Sequence, residues 1–62
     1  MPNHEIRLYR ADGTLSIIVM TCGTLFDVNT QAASYLRGDI ARAEVCSEQD
    51  AANNAACLEL AA

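Results

Sequence analysis

The sequence contains no lysine and no tryptophan, and its four basic side chains are all arginines. Eight carboxylates oppose them, which gives a net charge of −4 and a pI near 4.5. Such a chain repels phosphate groups, so we expect no direct binding to nucleic acid or to an anionic membrane surface. An acidic chain of this kind suits a basic protein partner instead.

Long apolar runs are also missing. The longest stretch of large apolar side chains, Ile17 to Met20, falls far short of the roughly 20 residues that cross a bilayer. The first five residues lack a basic stretch followed by an apolar one, so no secretory signal is expected. Three cysteines at irregular spacing favour reduced thiols over a disulfide framework. Together these features predict a cytoplasmic protein.

The length of 62 residues predicts a single small domain over residues 1–62 and excludes a large enzyme with a deep cleft. Hydrophobic residues make up 52% of the chain, but eleven of them are alanine and three are cysteine. Few large side chains remain to build a core. We therefore expect marginal stability and a need for a partner or a second copy.

Residues suited to catalysis or metal binding are sparse. His4 is the one histidine, and it faces away from Cys22 in the predicted hairpin, which argues against a catalytic Cys-His pair. Cys22, Cys46, Cys57 and His4 are zinc-ligand types, but they lack the close pairs of structural zinc sites. The three glycines are scattered, which excludes a glycine-rich phosphate loop. The sequence predicts no enzyme, no metal and no cofactor.

A β-hairpin is predicted over residues 4–22. Asp12-Gly13 is typical of a two-residue turn with positive φ at both positions. This turn predicts the pairings Arg10 with Leu15, Leu8 with Ile17, and Ile6 with Val19. Ile18 and Met20 then lie on the opposite face of the second strand. That strand is apolar on both faces, so we expect another segment, a second copy or a partner to cover Ile18 and Met20.

A helix is predicted over residues 25–37, because apolar residues recur there at helical spacing. Asp27 is a plausible N-cap, and Thr24 is the alternative. Gly38 supplies a left-handed C-cap. Residues 40–46 alternate, with Ala41, Ala43 and Val45 on one side and Arg42 and Glu44 on the other, which predicts a third strand beside the first.

The segment 48–61 allows two interpretations. Ser47-Glu48-Gln49-Asp50 is typical of a helix start, and we predict a short helix there. In the alternative, Ala56, Leu58 and Leu60 form the inner face of a fourth strand. The predicted fold class is α+β: a small ββαβ(α) domain, with an antiparallel sheet, one helix packed on a face and a short C-terminal helix or strand.

The segment from Glu5 to Thr14, the apolar second strand and the helix around residues 27–37 lie in a short, acidic, lysine-free chain. In size, charge and strand order over most of residues 4–48, this chain resembles small phage and mobile-element proteins of the anti-CRISPR inhibitor type. The resemblance implies a non-enzymatic protein that binds a CRISPR effector and blocks its DNA-binding surface. In that class, acidic side chains often stand in for phosphates.

The leading functional hypothesis is therefore an inhibitor that occludes the nucleic-acid-binding surface of a basic partner. Its predicted charged contacts are Asp39, Glu44, Glu48 and Asp50. Its predicted desolvated anchors are Tyr9, Ile18 and Met20. The alternative is a structural homodimer of a bacterial ββαβ type, joined through the Ile18 and Met20 face of the second strand and without an inhibitory role.

Overall fold

The computed structural model describes residues 3–52 and 57–61. Its elements in chain order are β1 (Asn3–Arg10), β2 (Leu15–Cys22), α1 (Leu25–Ser34), β3 (Ile40–Ser47), α2 (Glu48–Ala52) and β4 (Leu58–Ala61). These strands form one antiparallel sheet in the spatial order β2-β1-β3-β4. Within the described residues, β1 and β3 are therefore central, and β2 and β4 lie at the two edges.

The predicted ββαβ(α) fold class is wrong. The chain is mostly β-strand and forms a small four-stranded antiparallel sheet. It is not a ββαβ unit defined by a helix packed on one face. The C-terminal segment explains the difference, because it contains both forms that the sequence left open. Residues 48–52 form the short helix α2, and Leu58 and Leu60 then pair with Val45 and Ala43 as part of β4.

The β1–β2 hairpin has the predicted central register but a different turn. The pairings Leu8 with Ile17 and Ile6 with Val19 are confirmed. The predicted two-residue turn is wrong: the Gly13 N–H donates to the Arg10 carbonyl at 2.9 Å, and the Arg10 N–H donates to the Thr14 carbonyl at 2.9 Å. Because Arg10 bonds to Thr14, the loop between them consists of the three residues 11–13.

Gly13 and Asp12 stabilise the three-residue loop. Gly13 has a φ of 90°, a conformation that costs glycine little. The Asp12 carboxylate accepts hydrogen bonds from the Thr14 N–H at 2.9 Å and from the Thr14 hydroxyl at 2.6 Å. These bonds hold the chain just before β2 begins.

Helix α1 begins at the alternative cap and ends earlier than predicted. The Thr24 hydroxyl accepts a hydrogen bond from the Asp27 N–H at 3.2 Å, so Thr24 is the N-cap and Asp27 lies in the first turn. The helix ends at Ser34, and Tyr35 is the C-cap. Gly38, with a φ of 63°, lies beyond the helix in the connection to β3. The predicted Asp27 N-cap and Gly38 C-cap are wrong.

The core lies on one face of the sheet. It contains six buried apolar residues from β1, β3 and α1: Ile6, Leu8, Val28, Ala32, Ala43 and Val45. Only Val28 and Ala32 are buried in α1. The predicted inward orientation of Ala43 and Val45 in β3 is confirmed. Because most of these residues belong to β1 and β3, the two central strands carry the core.

A disulfide joins Cys46 at the end of β3 to Cys57 just before β4. The prediction of reduced thiols is therefore wrong for these two cysteines, whereas Cys22 is free and exposed. The bond closes a loop with a sequence separation of 11 residues. It ties the short β4 to its neighbour β3. In the described part of the chain, no helix is long and apolar enough to cross a membrane.

Candidate protein-binding surface

The edge strand β2 exposes several large apolar side chains. β2 is an edge strand, and within the described residues no strand pairs with its outer side. Ile17 is 54% exposed on one face, whereas Ile18 is 47% and Met20 is 61% exposed on the other. The expectation that another segment of the chain covers Ile18 and Met20 is not met among the described residues. Apolar side chains are thus accessible on both sides of this edge.

The start of α1 adds two further exposed apolar side chains. Leu25 and Phe26 follow β2 by only a few residues, and Phe26 is 79% exposed. The Thr21 hydroxyl donates to Gln31 at 3.1 Å, which ties the end of β2 to the middle of α1. The surface defined by β2 together with Leu25 and Phe26 is called the β2 surface below.

From Ile17 to Cys22, the edge of β2 lacks the usual protection against strand pairing. Natural edge strands carry lysine, proline, inward charges or bulges that discourage another strand from adding. β2 has the sequence LSIIVMTC, without a charged residue or a proline. Its one irregularity lies where Tyr9 pairs with Leu15, which leaves Ser16 as an extra residue near the turn. Ile17 to Cys22 remain in regular register.

The predicted anchor Tyr9 is engaged within the protein, on the sheet face opposite the core. Its hydroxyl donates to Glu44 at 3.0 Å. Arg42 donates to the other Glu44 oxygen at 3.0 Å, and its guanidinium lies 4.1 Å from the centre of the Tyr9 ring. Burial, and next the hydrogen bond to Glu44, raise the pKa of Tyr9 above its ordinary value. Tyr9 and Glu44 thus stabilise the sheet face through their mutual contacts.

The four predicted acidic residues do not form one patch. Asp39 directly precedes β3 and lies 3.6 Å from Arg10, whereas Glu48 directly follows β3 and accepts a hydrogen bond from Asn3 at 3.2 Å. A strand of eight residues separates them by about 25 Å. The side chain of Asp50 lies outside the described ones. The negative charge of these residues is therefore spread along the sheet, although the residues are close in sequence.

Three described carboxylates have no arginine within ion-pair distance, namely Asp12, Asp27 and Glu48. Arg7 lies 2.7 Å from Glu5, and Arg42 lies 3.0 Å from Glu44 and 3.8 Å from Glu59. Within the described residues, no arginine lies within ion-pair distance of Asp12 or Asp27. These two carboxylates flank β2, one at each end.

The positions of Asp12 and Asp27 follow from the local structure. Asp12 lies in the turn that precedes β2. Asp27 folds back towards Gly23, which follows β2: its Cβ is 3.6 Å from the position that a Cβ would take at Gly23. In the sequence, Asp12 indicated only a turn and Asp27 only a helix cap. Their shared position beside β2 depends on the hairpin register and on the Thr24 cap.

The residues considered for metal binding or catalysis are separated. His4 is buried and pairs with Thr21, whereas Cys22 is exposed and pairs with Asn3. The sulfurs of Cys46 and Cys57 are bonded to each other. Across the described ranges, no three potential metal ligands from histidine, cysteine, aspartate and glutamate come together. The geometry supports neither of the two sites considered from the sequence.

Comparison with known proteins gives no relative. No family model, curated protein or solved structure matches the chain. The β2 surface and the charges around it are therefore the features that indicate a function.

Proposed function

We propose that this protein is a non-enzymatic binding protein that attaches through its β2 surface to a basic protein and covers that protein's nucleic-acid-binding surface. The observation that supports the proposal most strongly is the exposure of Ile17, Ile18 and Met20 along an unpaired edge. Exposed apolar side chains on both faces of one strand are typical of an interaction site. A CRISPR effector, the partner class that the resemblance implies, has a basic surface of this kind.

The apolar side chains alone supply too little affinity. Complete burial of one such side chain contributes about 1.5–3 kcal/mol, and each of the three is already about half buried. Their combined contribution is about 3 kcal/mol, whereas a micromolar complex needs about 8 kcal/mol. Backbone hydrogen bonds and charge contacts have to supply the rest. The proposal therefore needs a partner whose charge and shape both fit β2.

The charge distribution favours a basic partner. Arg7 and Arg42 are held by carboxylates on β1, β3 and β4. Arg10 lies 3.6 Å from Asp39 and also donates to the Leu15 carbonyl at the start of β2, so it offsets part of the negative charge there. Asp12 and Asp27 have no arginine within ion-pair distance among the described residues, although Thr14 donates two hydrogen bonds to Asp12. A negative field around an apolar strand accelerates association with a basic surface, and this effect weakens as salt screens it.

A DNA-release experiment tests this function. The protein is immobilised and exposed to the heparin-retained protein fraction of a bacterial lysate, and bound proteins are then eluted with a 30-base-pair DNA duplex. The proposal predicts that the duplex releases the captured proteins, because DNA and the β2 surface compete for one basic surface. It also predicts that an Ile18→Lys/Met20→Lys variant captures at least tenfold less.

The matched control is Ala33→Lys/Ser34→Lys, which adds the same charge at two exposed positions on α1. Equal loss of capture in the control and the β2 variant would show that net charge, and not the β2 surface, causes the loss. Capture that the duplex does not release would contradict the occlusion of a nucleic-acid-binding surface.

A homodimer is the second candidate, and the unpaired β2 edge with exposed Ile18 and Met20 favours it as well. Sedimentation velocity between 10 and 500 micromolar separates the two functions. A dimer that the Ile18→Lys/Met20→Lys variant abolishes would support self-association. A species of 6.7 kDa throughout would contradict it.

A further inference from the structure

The proposal here depends on the proposed function and specifies the partner's contact segment. We propose that β2 pairs through its free edge with an extended segment of the partner that has apolar or β-branched residues in its centre and basic residues at both ends. The partner segment would become the fifth strand of the sheet. Recognition would thus combine main-chain hydrogen bonds with charge contacts at two fixed positions.

The backbone of β2 can accept a further strand along its outer side. A strand at a sheet edge has unpaired N–H and C=O groups along its outer side, and these groups form hydrogen bonds with any strand that adds there. Ile17 to Cys22 keep a regular register with β1 and contain no proline. Six regular residues span about 20 Å, which is the length of an ordinary strand.

The side chains of β2 next to that edge are apolar on both faces of the sheet. Ile17 is exposed on the core side of the sheet, and Ile18 and Met20 are exposed on the other side. Residues of an added strand alternate between the two faces, so each face receives every second side chain. Apolar or β-branched residues at these positions would cover Ile17, Ile18 and Met20 at the same time.

The carboxylates at the two ends decide what kind of strand fits. Asp12 precedes the start of β2 and Asp27 lies beside its end, and neither has an arginine within ion-pair distance among the described residues. Arginine or lysine at both ends of the added segment would meet these carboxylates. A segment with acidic ends would meet like charge at both ends.

The same carboxylates disfavour a second copy as the occupant. In an antiparallel pair of β2 strands, Asp12 of each copy approaches Asp27 of the other. In a parallel pair, Asp12 approaches Asp12 and Asp27 approaches Asp27. Like charges therefore meet in both orientations, whereas a segment with basic ends is attracted in both.

Synthetic peptides test the inference directly. The probe is a fluorescein-labelled ten-residue peptide with six alternating valine and threonine residues between two arginines at each end. Its affinity for the protein is measured by fluorescence anisotropy at low salt. We expect saturable binding, and at least tenfold weaker binding when aspartates replace the four arginines. N-methylation of the six central amides should abolish binding, because it removes the hydrogen-bond donors of an added strand.

A variant of the protein tests the two carboxylates. Asp12→Asn/Asp27→Asn should weaken binding of the arginine-flanked peptide about fivefold, because two exposed charge contacts are lost. The control Glu59→Gln removes a carboxylate away from β2 and should change binding less than twofold, whereas Asp27→Asn alone, which removes the same amount of charge, should weaken binding about twofold. Glu59 is on β4, at the opposite edge of the sheet. The peptide variants keep the test valid even where a substitution in the turn disturbs folding.

Three results would overturn the inference: no peptide binding at millimolar concentration, equal binding of arginine- and aspartate-flanked peptides, or unchanged binding after N-methylation. The DNA-release experiment is independent of this outcome. Captured proteins that DNA releases, combined with failure of the peptides, would leave the proposed function standing and remove strand pairing. Peptide binding without DNA-released capture would keep strand pairing and contradict the proposed function.

Discussion

Single residues on the sheet face opposite the core hold each other in place. Glu44 accepts hydrogen bonds from Tyr9 and Arg42 at 3.0 Å each, and Arg42 also lies over the Tyr9 ring. A carboxylate with two such partners stabilises the fold more than an exposed one does, because hydrogen bonds to charged groups are stronger than neutral ones. Among the predicted contact residues, Tyr9 and Glu44 therefore have a structural role.

Replacing Glu44 tests that structural role. Glu44→Gln should lower the free energy of unfolding by about 1 kcal/mol, because an amide replaces the charged acceptor between Tyr9 and Arg42. The control Glu59→Gln removes a more exposed carboxylate at 3.8 Å from Arg42 and should change stability by less than about 0.5 kcal/mol. Urea unfolding of both variants measures the difference. Equal effects would show that the Glu44 contacts add nothing beyond charge.

Asp12 makes the stability of the hairpin dependent on pH. Hydrogen bonds from the Thr14 hydroxyl and then the Thr14 N–H lower the pKa of Asp12 below its ordinary value of 3.8. Because the pKa is lower in the folded state than in the unfolded state, the ionised carboxylate stabilises the fold above that ordinary value. This contribution is lost as the pH falls through the folded-state pKa.

The expected consequence is visible in thermal unfolding between about pH 5 and pH 2. The melting temperature of Asp12→Asn should fall less over this range than that of the parent protein. Thr14→Val removes one of the two hydrogen-bond donors and should give an intermediate pH dependence. Parallel curves for the parent protein and Asp12→Asn would show that the Asp12 carboxylate makes no pH-dependent contribution.

Among the elements, the hairpin and β3 were the most predictable. A period of two in β1 and β3, together with a tightly turned loop, is sufficient to place Ile6 opposite Val19 and to orient Ala43 and Val45 inward. The extra residue at Ser16 was not predictable, because Asp12-Gly13 suits both a two-residue and a three-residue loop. Local sequence defined the strands but did not decide the turn.

The C-terminal segment was not predictable because a long-range bond contributes to it. β4 contains four residues, and of its two larger apolar side chains Leu58 is exposed and Leu60 is half-buried. Such a strand gains little from burial alone. The Cys46–Cys57 disulfide keeps it beside β3, and nothing in the cysteine spacing indicated that pairing.

Removal of this disulfide should destabilise the fold. Closing a loop of this length contributes about 3 kcal/mol in the chain-entropy model. Cys46→Ser/Cys57→Ser should therefore lower the free energy of unfolding by about that amount and make it insensitive to dithiothreitol. Cys22→Ser, at the exposed free cysteine, should stay close to the parent protein and keep its sensitivity to the reductant. Denaturant unfolding with and without dithiothreitol distinguishes these cases.

The N-cap of α1 has a similarly measurable effect. Thr24→Ala should lower the free energy of unfolding by about 1 kcal/mol, because the Asp27 N–H loses its hydrogen-bond acceptor. The control Thr30→Ala changes an exposed threonine in the same helix, where alanine has the higher helix propensity. We expect its stability to be equal to or above that of the parent. A larger loss for Thr30→Ala would contradict Thr24 as the cap.

At the scale of the whole molecule, the sequence predicted the apolar part of the candidate site better than the charged part. Ile18 and Met20 were predicted to share the outer face of an apolar strand, because alternation alone specifies which side chains share a face. The charged part depends on which acids pair with arginines and on where the two ends of β2 lie. Asp12 and Asp27 are 15 residues apart in sequence and flank β2 only once the hairpin and α1 have formed.

Amide hydrogen exchange of the protein in the presence of the heparin-retained protein fraction tests the central claim most directly. Deuterium uptake is followed by mass spectrometry for the segment 15–22, with the segment 58–61 at the other edge as internal reference. We predict that the partner fraction lowers uptake in β2 and leaves β4 unchanged. Unchanged uptake in β2, or protection confined to β4, would contradict β2 as the binding edge.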